Sequence, residues 1–376
     1  MHPHIVENSV DIAFTPAYNI KSKVVSCFSP LFYNERWQLI LATLEIYKEL
    51  GVSKQVFYIQ SMVSDVFKVL EHYKARGYNE IEPWSKLDIG DLYRNELGYD
   101  PNTELDWRNQ AAAHTHCFLK YKSAADFIMI GDIDDVLFPK IADNYFDEFL
   151  ILSQRYPNAA GFTYDRFNTE VTSTKVSSDF SMSRLLDSSV VYNEWEDGKY
   201  VVNSSRVSSA WIHWPGIIKN GHTMKLVPRN DNFMLHLRKW KLTESKSGRQ
   251  QLVHQPKTSK SEKFNIQLGD IINKDVIERI ETRWMKNLDT IPGIKHLPTE
   301  VRYYPLIANC YNRIFYSIEK RPSSCPGPIK CKLPEIKGLS CTVAQTTFNR
   351  HRSKNNYVVH YPESTVFVEK TNGCTL

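Results

Sequence analysis

Residues 23–29, Lys-Val-Val-Ser-Cys-Phe-Ser, form a short and nearly continuous apolar run, the pattern of a strand buried on both faces. Asn34-Glu35 then open a helix whose Trp37, Ile40, Leu41, Leu44, Tyr47 and Leu50 recur at helical spacing until Gly51 closes it. The pattern repeats with a strand at 55–61 and a helix at 63–76, where Val66, Val69, Leu70 and Tyr73 share a face and Gly77 ends it. A third strand at 79–84 is broken by Pro83. A polar connection follows to about residue 100, and residues 106–126 read as a helix feeding a strand at 127–131. A further helix at 143–156 leads to a strand at 160–164. Strands alternating with helices of this length predict an α/β fold with a mostly parallel, doubly wound sheet.

Beyond residue 168 the periodicity weakens. Residues 168–203, rich in Ser, Thr and charge, read as largely irregular, with short strands at 200–207, 210–214 and 224–226. Residues 242–269 are polar and basic, and 271–284 have an amphipathic helical pattern. The tail carries Pro322, Pro326, Pro328 and Pro334 among cysteines with no helical period, and is expected to wrap the core. The organisation expected is an N-terminal extension at 1–22, an α/β domain at 23–320 and a Cys/Pro-containing tail at 321–376.

The length of 376 residues allows a full core, and a net charge of +5 from scattered basic residues excludes nucleic acid as a partner. No apolar run reaches the ~18 residues of a membrane span. The polar start Met1-His2-Pro3-His4 lacks a signal-peptide core, so membrane association would come only through an anchor not visible in this chain. Cys310, Cys325, Cys331, Cys341 and Cys374 crowd the C-terminal part without a Cys-x-x-Cys knuckle, which favours disulfides in an oxidising lumen over zinc. The odd total leaves one cysteine unpaired, and Cys27 or Cys117 is expected to be a plain core residue. The sequon Asn203-Ser204-Ser205 agrees with the secretory pathway.

The chemistry is concentrated at Gly131-Asp132-Ile133-Asp134-Asp135, where an apolar strand ends in three carboxylates within four positions. Such crowding is costly unless a cation is present, and a hard divalent ion that also binds phosphate answers both needs. A helix cap or solvated turn is the plainer alternative. The position at the end of a strand in a βα repeat, where open α/β sheets place ligands, favours function. In His114-Thr115-His116-Cys117, positions i and i+2 of a helix face different ways, which argues against zinc.

Several segments resemble glycosyltransferase family 92 over about residues 24–240. They are the run Cys27 to Trp37, Tyr73-Lys74-Ala75-Arg76-Gly77-Tyr78 with Pro83-Trp84, Gln110-Ala111-Ala112 with Cys117, Phe127 to Asp135, Lys199-Tyr200-Val201-Val202 with Val207 and His213, and Leu235-His236-Leu237-Arg238. The resemblance implies a Rossmann-like fold of the GT-A type and a UDP-sugar donor, galactose by analogy. It implies Mn²⁺ or Mg²⁺ held by Asp132, Asp134 and His236, with Asp135 at ribose or metal. Ser29, Asn34, Glu35 and Gln110 would line the nucleoside side, and Arg238 would neutralise phosphate. His213 and Trp214 are candidates for the acceptor glycan. The reaction implied is an inverting displacement, which needs a carboxylate base. Asp187, Glu194, Glu196, Asp197 and Asp231 are available, with Glu194, Asp197 and Asp231 carried forward. A Golgi or secretory-lumen location is expected. The chain departs from the family at Asn203-Ser204, where relatives carry Arg-Pro, a change expected to remove a cation from the diphosphate site.

Two rivals stand beside this reading. Asp132-x-Asp134 with Gly269-Asp270 and Asp275 mimics a haloacid-dehalogenase-like phosphohydrolase, although two βα units precede it. A catalytically inactive carbohydrate-binding relative is the other.

Overall fold

The computed structural model describes residues 14–105, 109–244, 250–252, 265–316, 327–352 and 358–375. The N-terminal half follows the apolar pattern closely. Strand β1 (Ser22–Phe28) leads to helix α1 (Trp37–Glu49), then β2 (Lys54–Ile59), β3 (Ser61–Val63), α2 (Ser64–Ala75) and β4 (Asn79–Pro83). The polar connection contains α3 (Gly90–Leu97), followed by α4 (Gln110–Tyr121), β5 (Ala125–Gly131), β6 (Asp135–Leu137) and α5 (Tyr145–Arg155). Residues 106–108, the expected start of the α4 helix, lie outside the described residues.

Strands β4, β2, β1 and β5 are neighbours in that order, and every pair is parallel. Alternation along β1 sends Val24 and Phe28 to one face with α1, α2 and α5, and Val25 and Cys27 to the other with α4. This is the doubly wound half. The expectation that one of Cys27 and Cys117 stands unpaired is overturned, because β1 and α4 pack on one face and the two cysteines form a disulfide there. Cys325 lies outside the described residues.

Residues 168–203 are also more regular than the sequence reading held. Strand β7 (Ala159–Thr174), α6 (Met182–Ser188) and β8 (Val190–Asn203) fill this region. Phe167, Thr169, Val171 and Ser173 alternate along β7 with residues of the opposite face. β-branched Thr and Val favour a strand even where Ser and charge lower the hydropathy. β8 is inserted antiparallel between β5 and β7, so the sheet is parallel in its first half and mixed beyond. Small strands β9 (Val207–Ser209) and β10 (Ile217–Ile218) pair with each other, and β11 (Thr223–Leu226) adds parallel to β7. β12 (Met234–Thr243) runs parallel to β7, while β13 (Gln250–Leu252) pairs with β12 and β14 (Ile266–Gln267) with β8. The curled sheet flanked by helices is a GT-A-like α/β architecture.

Helices α7 (Lys274–Leu288) and α8 (Tyr303–Ile314) follow, and the tail then builds a long hairpin, β15 (Cys341–Arg352) with β16 (Val358–Lys370), whose first residues pair with β3. Disulfides Cys310–Cys331 and Cys341–Cys374 hold this region. Among the described residues no helix is long and apolar enough to cross a membrane.

Candidate functional site

The three carboxylates after β5 diverge because the chain turns sharply there. Asp135 N–H donates to the Asp132 carbonyl (3.0 Å), and Asp132 N–H donates to Asp135 Oδ2 (3.2 Å), closing a four-residue turn. Asp132 faces β1, α4 and β8. Its Oδ1 accepts from the Ser29 hydroxyl and from Gln110 Nε2 (2.6 Å), and Lys199 Nζ lies 3.1 Å from Oδ2. His114 completes this wall, its Nε2 3.2 Å from the Ser29 oxygen. Burial, and then the Lys199 charge, push the His114 pKa down to about 3, so the ring is neutral.

Asp135 opens β6 and turns inward. Burial raises its carboxyl pKa, opposed by Arg166, whose Nη1 lies 3.0 Å from Oδ1. Strand pairing then supplies the histidine. β6 runs antiparallel to β12 with Asp135 opposite His236, and Leu237 N–H donates to the Asp134 carbonyl (2.8 Å). A one-residue slip would turn His236 to the other face of the sheet.

Ligand-type atoms of Asp134, Asp135 and His236 all lie within 4.8 Å of one another. His236 Nε2 is 3.8 Å from Asp134 Oδ2, and its Nδ1 is 3.4 Å from Glu196 Oε2, an approach without an aligned hydrogen bond. Glu196 is also 3.1 Å from Arg166 Nη2 and 3.2 Å from Arg238 Nη1. His236 foremost, then Arg166 and Arg238, push its carboxyl down to about 2. A carboxylate behind Nδ1, with Nε2 turned toward Asp134 and with Asp135 close by, is the usual setting of a metal-bound imidazole. Two oxygen donors and one nitrogen suit Mn²⁺, and Mg²⁺ less well. The residues therefore fit a divalent cation. Asp135 rather than Asp132 stands with Asp134 and His236, while Asp132 is held by Ser29, Gln110 and Lys199.

Of the other candidates, Asn34 has its backbone tied to Ser61 and Val63, and its Oδ1 is buried with no hydrogen-bond partner among the described residues. Glu35 is occupied elsewhere, accepting backbone N–H groups of Arg302 (2.8 Å), Tyr303 (2.7 Å) and Tyr304 (2.8 Å) at the start of α8. Arg238 meets Glu196 at the surface side of the cluster. Glu194 lies 3.6 Å from Lys239, and Asp231 pairs with Arg155 at 2.7 Å. Asp197 is exposed and has no ion pair among the described residues.

His213 Nδ1–H donates to the Gly198 carbonyl (2.8 Å), and burial lowers the ring's pKa and favours its neutral form. Trp214 beside it is exposed, as are Trp211 and Trp195. Tyr58 rather than a metal partner takes His116, at 2.6 Å.

Arg166 was not legible as a site residue, nor were the roles of Lys199 and Glu196. A recognised strand through residue 174 would have placed Arg166 opposite Glu196, as their register does. The substitution at Asn203-Ser204 takes no cation from the site. Asn203 pairs with Phe127 at the start of β5, whereas Asp132 follows its far end. Asp270 ends a short turn before α7 rather than a strand, and Gly269 packs against Asp187 of α6, which is not the setting of the acidic motif of a phosphohydrolase.

The sequence profile described as glycosyltransferase family 92 matches residues 22–283. The chain is 38% identical over 377 aligned positions to the glycosyltransferase family 92 protein F59C6.8 of Caenorhabditis elegans, covering 98% of this chain and 71% of that protein. It is 31% identical to the family 92 protein F13G3.3 of the same organism, covering 98% and 72%. Apo UDP-glucose pyrophosphorylase aligns over 71% of this chain and 99% of its own, at 7% identity and a TM-score of 0.21, too slight a likeness to build on.

Proposed function

Because the chain belongs to glycosyltransferase family 92, we propose that this glycosyltransferase moves a sugar, galactose being the first to test, from a UDP-sugar to a glycan hydroxyl with inversion. The observation that carries the reading is the convergence of Asp134, Asp135 and His236 beside the Ser29, Gln110 and Asp132 cluster, at the C-terminal ends of β1 and β5. Open α/β sheets bind nucleotides at that edge.

Asp134, Asp135 and His236 would hold Mn²⁺ or Mg²⁺, which when bound supplies positive charge to the departing diphosphate. Glu196 lies behind the His236 ring, within reach of Nδ1 when Nε2 is a metal ligand, and Arg166 compensates the negative charge of Asp135 and Glu196. Ser29, Gln110 and Asp132 offer hydroxyl, amide and carboxylate to the nucleoside, with Asn34 nearby and Arg238 toward phosphate. His213 and Trp214 present an imidazole and an exposed ring to the acceptor. The base must have a lone pair to spare. Asp197, next to the Gly198 carbonyl that holds His213, is favoured over Glu194 and Asp231, whose carboxylates face cations. Glu35, committed to α8, would act on the nucleotide only through the position of Asn34. Three disulfides among the described residues support an oxidising secretory compartment such as the Golgi lumen.

Calorimetry with UDP, with and without Mn²⁺, tests the reading. The wild type is expected to bind UDP in a metal-dependent manner, and Asp134→Ala and His236→Ala to lose that dependence. Absence of nucleotide binding by the wild type under both conditions would overturn it. Donor hydrolysis across a panel of nucleotide sugars identifies the sugar.

A further inference from the structure

Lys199 is a lysine without water. It is 1% exposed, its stem lies against Gly131, and a buried ammonium is tolerable only where anionic and dipolar partners replace its hydration. It has one of each. Nζ is 3.1 Å from Asp132 Oδ2 on the donor side and 3.3 Å from the carbonyl oxygen of Ile212 in the connection between β9 and β10.

That connection carries the exposed rings. Trp211 is 46% and Trp214 56% exposed, with His213 between them. Thr115 of α4 donates to the Ala210 carbonyl at the start of the connection (3.0 Å), and its other anchors come from the C-terminal half of β8. The Tyr200 hydroxyl donates to Trp211 O (2.7 Å) and accepts from Trp211 N–H (3.0 Å), and the Gly198 carbonyl holds His213. Three successive residues of one strand, 198 to 200, thus each hold one residue of the loop, 213, 212 and 211 in reverse order. Only the middle tie is shared with the carboxylate turn after β5. Gly198 has no alternative, since a Cβ there would lie 1.7 Å from the Tyr164 carbonyl oxygen.

We propose that Lys199 is a positioning residue that locks the Trp211–His213–Trp214 loop to Asp132, fixing the acceptor platform relative to the donor site. The acceptor role of the loop rests on the transferase reading; the mechanical tie does not. Simple removal of the ammonium strands Asp132 half-buried, so Lys199→Met alone risks misfolding for an unrelated reason. The double variant Lys199→Met/Asp132→Asn removes both charges together and keeps both shapes, so neither is left buried alone, and the wild type is its reference.

Hydrogen–deuterium exchange on the full chain reads the tie without any substrate. In the double variant the amides of residues 211–214 are expected to exchange at least ~10-fold faster than in the reference, with β1 and β5 unchanged. Steady-state kinetics then read the consequence. At saturating donor, acceptor KM is expected to rise about 10-fold over the reference with a smaller change in kcat, the split of a lost positioning contact rather than a lost catalytic group. Unchanged exchange at 211–214 in the double variant would overturn the proposal, as would a loss confined to kcat. A wild type that binds no UDP would sink the transferase reading and leave the exchange result standing, so the two failures are distinguishable.

Discussion

Asp132, Asp134 and Asp135 have the same side chain and three different fates, set by the partners each one meets. Asp132 is neutralised by Lys199, Asp135 by Arg166, and Asp134 is left to face the His236 imidazole. The acidic cluster was legible in the sequence because its spacing is local. The cations were not, because Arg166 and Lys199 arrive from strands 31 and 67 positions away and look ordinary in their own surroundings. Glu196 provides a sharp test at this scale. It is the carboxylate behind His236 Nδ1, and Glu196→Gln is expected to weaken Mn²⁺ binding by roughly 10–100-fold, as loss of the group that orients a metal ligand does, with little change in melting temperature. Calorimetric titration of the metal alone measures this. An unchanged metal affinity would show that the imidazole is oriented by other means. His114 supplies a pH prediction. Its folded pKa lies near 3, against about 6.5 in an unfolded chain, so below pH 6.5 the unfolded state takes up a proton that the folded state refuses. Its contribution to stability is complete above pH 6.5 and is lost as pH falls toward 3. His114→Asn should be less stable than wild type at pH 7, and the gap should narrow by up to about 1.4 kcal/mol per pH unit on acidification, measured by urea unfolding.

At the scale of elements, the site is a product of register. β6 is only three residues long, yet its pairing with β12 brings Asp135 opposite His236 and carries the Asp134 backbone to Leu237. The βα units before it were readable because apolar runs and helical faces are strong local signals. β7 beyond residue 164 and β8 before residue 200 were missed because their alternating residues are Thr, Asn, Glu and Tyr, which make a strand by neighbours rather than by hydropathy. The disulfide between β1 and α4 is an element-scale device of the same kind. Cys27 lies two positions before Ser29, and Cys117 three after His114, so the bond joins the two elements that present the Ser29, Gln110 and His114 wall. It spans 90 positions of sequence, and chain-entropy reasoning places its contribution at on the order of 4 kcal/mol, model-dependent. Cys27→Ala/Cys117→Ala is expected to lower the melting temperature by several degrees and to weaken UDP binding more than Mn²⁺ binding, because the wall it braces is separate from Asp134 and His236. Equal losses of both ligands would place its effect on the whole fold instead.

On the scale of the whole molecule, the C-terminal third is bound into the sheet domain rather than laid over it. Arg283 of α7 meets Glu45 at 2.8 Å and Glu49 at 3.1 Å on α1, where Glu45 is almost fully buried and Tyr73 donates to it as well. Glu35, immediately ahead of α1, holds the start of α8 by three backbone hydrogen bonds. The hairpin then covers β3, with Cys341 opposite Val63 and the Phe367 ring 4.8 Å from that of Phe67. The Tyr303 hydroxyl of α8 accepts from Cys374 N–H (3.1 Å), tying the segment after the last strand back to the same helix. Composition marked residues 321–376 as a tail packed on the core without a period of its own, since prolines and cysteines interrupt it, and its long hairpin pairs with a strand at the opposite end of the sequence. Ending the chain at residue 320 therefore strips β3 of its partner, leaves Phe67 uncovered and parts Cys310 from Cys331. An exposed strand edge beside an uncovered aromatic promotes association between chains. A fragment of residues 1–320 should accumulate as aggregate, or unfold without a cooperative transition and without binding UDP, by light scattering and calorimetry. A monomeric fragment with the melting temperature of the full chain would establish instead that residues 1–320 form an autonomous catalytic domain.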